Sequence, residues 1–148
     1  MAALAADTDY RFDARYEIGL NQEAAVGADT YYRGGLAHQV LASGLLTLTP
    51  AAVDFYVGVV SEHKVVAAAN ELVWVATSGR WYVAAVALAV ADLNRVMQMP
   101  AAALFDNPAD IVVNAVGAAG GIGTFYKVIT TAVDGWVNTD HRALVLNS

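Results

Sequence analysis

No cysteine occurs among the 148 residues, which removes disulfides, thiolate metal sites and a cysteine nucleophile and leaves the redox compartment open. Charge is scarce as well: Asp, Glu, Lys and Arg make up 15% of the chain, and eight Lys and Arg stand singly against fourteen Asp and Glu, for a net charge of −6. A nucleic-acid partner needs a stripe of cations to neutralise successive phosphates, and the sequence offers none. Nucleic acid is therefore not an expected partner. The most apolar stretch, Trp81 to Ala91, falls well short of the roughly 20 residues that cross a bilayer as a helix. Met1 to Phe12 has neither the basic lead-in nor the apolar run of a secretory signal. The expectation is a soluble protein with no membrane partner and no export signal.

What is abundant is small apolar side chain. Hydrophobic residues are 57% of the chain, with Ala and Val supplying the excess over ordinary usage. A chain of this length forms one domain and buries about 70% of the surface its unfolded state exposes. A surplus this large is hard to hide in so small a body, so part of it is expected at contacts with other copies or with an assembly.

Residues 1–13 are small and polar apart from Tyr10 and Phe12, which suits an extended N-terminal arm. From residue 14 to 148 the text consists of short β-branched and aromatic runs punctuated by turn residues, the pattern of a single β-rich domain. Strands are expected in Arg15–Leu20, Asp29–Val40, Leu45–Thr49, Val53–His63, Glu71–Thr77, Arg80–Val86, Arg95–Met99, Thr124–Thr131 and Gly135–Asp140. Along Glu71–Thr77, Leu72, Trp74 and Ala76 alternate with Val73 and Val75, so a strand covered on both faces is expected. Ser78-Gly79 follows as a candidate hairpin turn. Ala89–Arg95 has helix formers for one or two turns, and Pro100 and Asp106–Asp110 mark loops. The fold class expected is all-β, a small barrel or sandwich-like domain with the arm and at most one or two short helices.

The glycines of Val116–Phe125, at 117, 120, 121 and 123, imitate a dinucleotide-binding loop. Such a loop works only when a helix follows, its N-terminus aimed at the pyrophosphate. Here Thr124–Val137 is rich in Thr, Val, Ile, Tyr and Phe, which favours strand. Asp134 and Asp140 are the only acids near the position where such enzymes hold the ribose, and too little chain remains for a second βαβ unit. The glycines are read as chain geometry, and no cofactor is expected.

Other chemistry finds little support. His38, His63 and His141 are far apart, without a second ligand at metal-site spacing, although His38 and His63 can titrate near neutral pH and modulate a contact. Asp7 with Asp9, and Asp106 with Asp110, lack the ligand count of a calcium loop. Ser43, Ser61 and Ser78 have no nucleophile-elbow context. Trp74, Trp81, Trp136, Tyr31, Tyr32, Tyr56 and Tyr82 could form a sugar-binding platform, but in strands they more often pack as core and cross-strand pairs. No catalytic, cofactor-binding or metal residue is assigned, and the chain is not expected to be an enzyme.

A collinear pattern runs from Ala25 to Val137. It comprises Ala25–Val40 with Tyr32, Gly34 and Leu36; Ser43–Leu48; Phe55, Gly58, Val59 and Glu62; Val73–Val83; Ala91-Asp92-Leu93 with Val96; Phe105–Asp110; Gly123–Val128; and Asp134–Val137. This order resembles the small head decoration, or cement, proteins of tailed bacteriophages. The chain departs from the pattern at Asn94, at Met97 and in the tail from His141 to Ser148. The resemblance implies a virion structural protein on the outer surface of an expanded capsid, made in the host cytoplasm, that stabilises the lattice by bridging capsomers. Its implied partners are the major capsid protein and other copies of itself, a homotrimer among the arrangements such proteins use. The alternative is a ligand-binding β-domain, a carbohydrate-binding module or tail adhesin, suggested by the many Tyr and Trp residues.

Overall fold

The computed structural model describes residues 4–8, 11–15, 17–48, 55–84, 91, 93, 96–98, 112–113, 121–130 and 134–140. The strands are β1 (Gly19–Ala24), β2 (Asp29–Tyr31), β3 (Leu36–Gln39), β4 (Leu46–Thr47), β5 (Phe55–Val60), β6 (Lys64–Val66), β7 (Leu72–Ala84), β8 (Val96–Gln98), β9 (Val112–Val113), β10 (Gly121–Thr130) and β11 (Asp134–Asp140). They form two antiparallel sheets, so the domain is all-β. The larger runs β4-β3-β5-β7-β11-β10-β8-β9 with β1 also on β7, and the smaller is β2-β6. The larger sheet ends at β4 and β9, and the barrel is not closed. An isolated parallel bridge, Ala25 to Leu46, brings the end of β1 against β4 and curls the N-terminal strands around the core.

The 13-residue β7 organises this sheet. Val75 pairs with Asn21 of β1 and Val60 of β5, and Ala76 with Leu20 and Val59. Further along, Ser78 pairs with Gly19 and Asp140, while Trp81 pairs with Val137 of β11 and, by an isolated bridge, with Phe12 of the arm. Partners on both edges keep the chain straight through Ser78-Gly79, where the sequence suggests a hairpin. That expectation is corrected: Glu71–Thr77 and the described part of the second strand, Arg80–Ala84, do not fold back on each other, because each half of β7 is already paired elsewhere. Gly79 does take a positive φ, +139°, but it spends this freedom inside a strand, as a local distortion rather than a turn. A Cβ there would lie 3.0 Å from the Phe12 ring, so the missing side chain also gives the arm its seat.

The stretch Asp29–Val40 is likewise not one strand but two. Tyr31 ends β2 in the core, and a turn in which Gly35 N–H donates to the Tyr32 carbonyl (3.0 Å) leads into β3. Gly34 within it has φ +87°, the left-handed conformation that glycine supplies to turns. The core unites the two sheets: Ala25, Tyr31, Ala37, Leu46, Leu48, Val57, Val60, Val66, Val73 and Val75 form one buried cluster. Inside it the Tyr31 hydroxyl donates to the Leu46 carbonyl at 2.8 Å. Burial, and then the nearby Asp29 charge, push this phenol far above its usual range, so it remains a donor.

The start of β7 departs from expectation. Val73, Val75 and Ala76 are fully buried, but Leu72 and Trp74 are 45% and 41% exposed, so the strand is not covered on both faces there. The hairpin of β10 and β11, with Phe125 opposite Val137 and Lys127 opposite Trp136, agrees with the strand expected after the glycine-rich stretch. Gly121 and Gly123 lie within β10, where a dinucleotide loop would require a helix. Gly117, Gly120, Pro100, Asp106–Asp110 and most of Ala89–Arg95 lie outside the described residues.

Two backbone positions give opposite expectations. A Cβ at Gly58 would overlap the Ala76 carbonyl oxygen of the adjacent strand, so Gly58→Ala must force β5 from β7 and is expected to destabilise by about 2–3 kcal/mol. Ala28 holds φ 57°, strained for a residue with a Cβ, so Ala28→Gly is expected to be neutral or to stabilise by up to about 1 kcal/mol. Urea denaturation of the two variants checks both signs.

Candidate functional site

The register of β1 on β7 sets Leu20 opposite Ala76, Gln22 opposite Trp74 and Ala24 opposite Leu72. Side chains at alternate positions share a face, so Leu20, Gln22, Ala24, Leu72, Trp74 and the fully buried Ala76 line one side of this strand pair. Leu20 is 51% exposed and joins Leu72 and Trp74 in an open apolar row. The row carries no charged residue, on a chain whose net charge is −6. Isolated exposed apolar residues are ordinary, whereas contiguous ones mark contact surfaces.

The backbone beneath the row is closed by side chains. After β5 ends, Ser61 N–H still donates to the Trp74 carbonyl (3.0 Å). The Trp74 N–H then donates to Glu62 Oε1 at 2.9 Å, and Lys64 Nζ donates to the Leu72 carbonyl. Two side chains of opposite charge thus continue the ladder where the neighbouring strand turns away, and they keep this edge from pairing with another chain. What remains available to a partner is the apolar face, not the edge.

The arm lies beside the same sheet, held at two places. Near its start, Thr8 N–H donates to the Arg33 carbonyl (2.9 Å) and Arg33 N–H donates to Asp7 Oδ1 (2.9 Å). His63 Nδ1 meets the same carboxylate oxygen at 2.9 Å. Farther on, Asp13 N–H donates to the Arg80 carbonyl (2.8 Å), Tyr82 N–H donates to the Arg11 carbonyl (2.9 Å), and the Arg11 guanidinium stands 3.8 Å over the Tyr82 ring. Arg15 grips Asp13 through two side-chain bonds of 3.0 and 2.8 Å, which hold the Asp13 carboxyl down at about 2.

The residues weighed for chemistry are dispersed. His38 is buried in β3 (7% exposed), His63 faces the arm, and His141 lies outside the described residues. Among the described residues no group of three or more His, Asp or Glu is placed to hold a metal ion. Asp7 is engaged by Arg33 and His63, while Asp9 lies outside the described residues. Ser78 Oγ accepts the Gly19 N–H at 3.2 Å and Ser43 Oγ accepts the Leu45 N–H at 3.3 Å, both backbone duties. Of the aromatics, Tyr31 and Trp81 are buried at 0% and 3% exposure. Trp74, by contrast, is 41% exposed. Among the described residues no helix is long and apolar enough to cross a membrane.

The fold and surface therefore define a class of molecule, an all-β domain with a docked arm and an uncharged, open apolar row. Comparison with protein-family models, with curated proteins and with solved structures finds no match to this chain.

The row and the core are separable by mutation. Trp74→Ser removes a side chain that contributes to a surface and is expected to change unfolding free energy by less than about 1 kcal/mol. Trp81→Ala empties a buried site and is expected to cost about 3–5 kcal/mol. Equilibrium denaturation of both variants makes the comparison, and equal losses would place Trp74 in the core.

Proposed function

We propose that this chain is a capsid decoration protein, which binds the outside of an expanded phage head and stabilises the lattice by bridging capsomers. Its partners on this reading are the major capsid protein and other copies of itself, and its place is the outer surface of the virion. The observation that carries the reading is the uncharged apolar row of Leu20, Leu72 and Trp74 on the β1–β7 face. It joins the collinear resemblance from Ala25 to Val137, with which it shares Trp74. A surface of this kind suits adhesion: apolar area removed from water contributes about 25 cal/mol per Å², and many copies on one lattice gain by multivalency even when each binds modestly. An acidic domain also stays dispersed until it meets a matching surface.

A second reading is favoured by one feature, the exposed indole of Trp74 on a sheet face, which could stack on a sugar ring as a carbohydrate-binding module does. In that case Trp74, rather than the buried Trp81, is the aromatic that matters.

Mixing the purified protein with expanded and unexpanded heads tests the first reading. Binding to expanded heads with a raised rupture temperature is expected, lost in Leu72→Asp/Trp74→Asp with the free domain's melting preserved. Failure to bind any head lattice contradicts the proposal. Glycan-array binding abolished by Trp74→Ala, without head binding, establishes the second reading instead.

A further inference from the structure

We propose that the edge of β7 from Gly79 to Tyr82 is an exchangeable strand-acceptor site, and that the segment it accepts in trans is the N-terminal arm of a second copy of this chain. The inference stands whether or not those copies meet on a capsid, because every contact that defines the site lies within one chain.

The register makes the arm a separable strand. Along one edge of β7 the chain pairs twice, with Phe12 opposite Trp81 and with Gly19 opposite Ser78. Seven steps of chain from Phe12 to Gly19 thus face three steps from Ser78 to Trp81, which leaves four residues in excess between the two pairings. A continuous strand has no such excess. The arm and β1 are therefore independent strands on one edge, and releasing the first does not unzip the second. Asp13 closes the end of the arm: its carboxylate accepts the Arg15 N–H at 3.1 Å and the Arg15 guanidinium at 3.0 and 2.8 Å. These bonds lie wholly within the arm and its turn, so they travel with it.

The seat is made of parts that recognise an extended segment. Asp13 N–H donates to the Arg80 carbonyl at 2.8 Å, and Tyr82 N–H donates to the Arg11 carbonyl at 2.9 Å. This is the ladder of a strand added to a sheet edge. Between these bonds, Phe12 lies against Gly79, where a Cβ would stand 3.0 Å from its ring. The Arg11 guanidinium stands 3.8 Å over the Tyr82 ring. The seat thus selects an aromatic residue preceded by an arginine, and the chain carries that pair in its own arm. A second hold lies on the β2–β3 turn, where Thr8 N–H donates to the Arg33 carbonyl and Arg33 N–H to Asp7 Oδ1, both at 2.9 Å.

The same bonds form whichever copy supplies the arm. Withdrawing the arm takes its ladder bonds from the Gly79–Tyr82 edge, and a strand edge stripped of its neighbour is a template for another chain. A copy's own arm is favoured by a local concentration on the order of millimolar for a short tether. Exchange is therefore populated where copies are crowded, and mutual exchange of an identical element is a low-cost route to a dimer.

The absence of cysteine makes a direct test possible. With Phe12 opposite Trp81, Asp13 falls opposite Arg80, and strand partners have Cα atoms about 5.5 Å apart, within the span of a disulfide. Full-length Asp13→Cys and full-length Arg80→Cys are mixed in equal amounts at high concentration under slow oxidation, and neither can close a bond within its own chain. The mixed disulfide is expected several-fold above the yield of random pairing, because each bond traps an exchanged arm as it forms. Adding Phe12→Ser to the Asp13→Cys copy is expected to return the yield to random. A nitroxide on Asp13→Cys, mixed with isotope-labelled wild-type protein, leaves the seat unaltered; it is expected to broaden the amides of Gly79 to Tyr82 more than that of Leu45 between β3 and β4. A mixed disulfide at the random yield, an excess indifferent to Phe12→Ser, or broadening no stronger at Gly79 to Tyr82 than at Leu45 overturns the proposal.

Discussion

The fold depends on β7 having a partner along both edges. Thirteen residues of strand carry β1 and the arm on one side and β5 and β11 on the other, so the N-terminal core and the C-terminal hairpin are joined through one element. The geometry tolerates little there. Gly58 lets β5 approach the Ala76 carbonyl, and Gly79 lets Phe12 of the arm lie against the strand. Where a neighbour is missing, at Leu72 and Trp74, the side chains of Lys64 and Glu62 take its place. At Leu72 and Trp74 the backbone is already engaged by these side chains, so the interaction capacity there moves to side chains.

This places the arm and the apolar row in different roles. The arm is bound through backbone hydrogen bonds to Arg33, Arg80 and Tyr82, with charged side chains at both ends of the docked segment. Polar contacts of that kind are individually weak in water and respond to conditions. The row of Leu20, Leu72 and Trp74 is apolar and fixed on a rigid strand pair, so it does not depend on pH or salt in the same way. A chain whose composition is 57% hydrophobic thus leaves Leu20, Leu72 and Trp74 exposed on one uncharged face.

Much of the architecture was legible in the residues. The β-branched and aromatic runs locate β3, β4, β5, β8, β10 and β11 within a few positions, because half-buried pleated surfaces select those side chains. The replacement of a nucleotide loop by a strand at Gly121–Thr130 was readable from Thr, Val, Ile, Tyr and Phe. Ser78-Gly79 was misread for a physical reason: a glycine at positive φ looks the same in sequence whether the chain turns or merely buckles, and only the partners of β7 decide. β1 lies farther along than Arg15–Leu20 because Asn21, Gln22 and Glu23 are polar, yet their backbone pairs with Val75, Trp74 and Val73. The short β6 and β9 gave no periodic signal of their own. The open row was hidden by the same logic. Leu72 and Trp74 alternate with Val73 and Val75 as a doubly buried strand does, and nothing local reveals that no layer covers Trp74. The pairing of His63 with Asp7, 56 positions away, could be found only in three dimensions.

On the proposed decoration role, the β1–β7 face is the surface that meets a capsid lattice. Hydrogen–deuterium exchange of the protein free and bound to expanded heads tests it most directly. The account requires new protection confined chiefly to segments 20–24 and 72–74, with the β10–β11 hairpin unchanged. Protection that falls on the hairpin and leaves Leu20, Leu72 and Trp74 as open as in the free protein would contradict it.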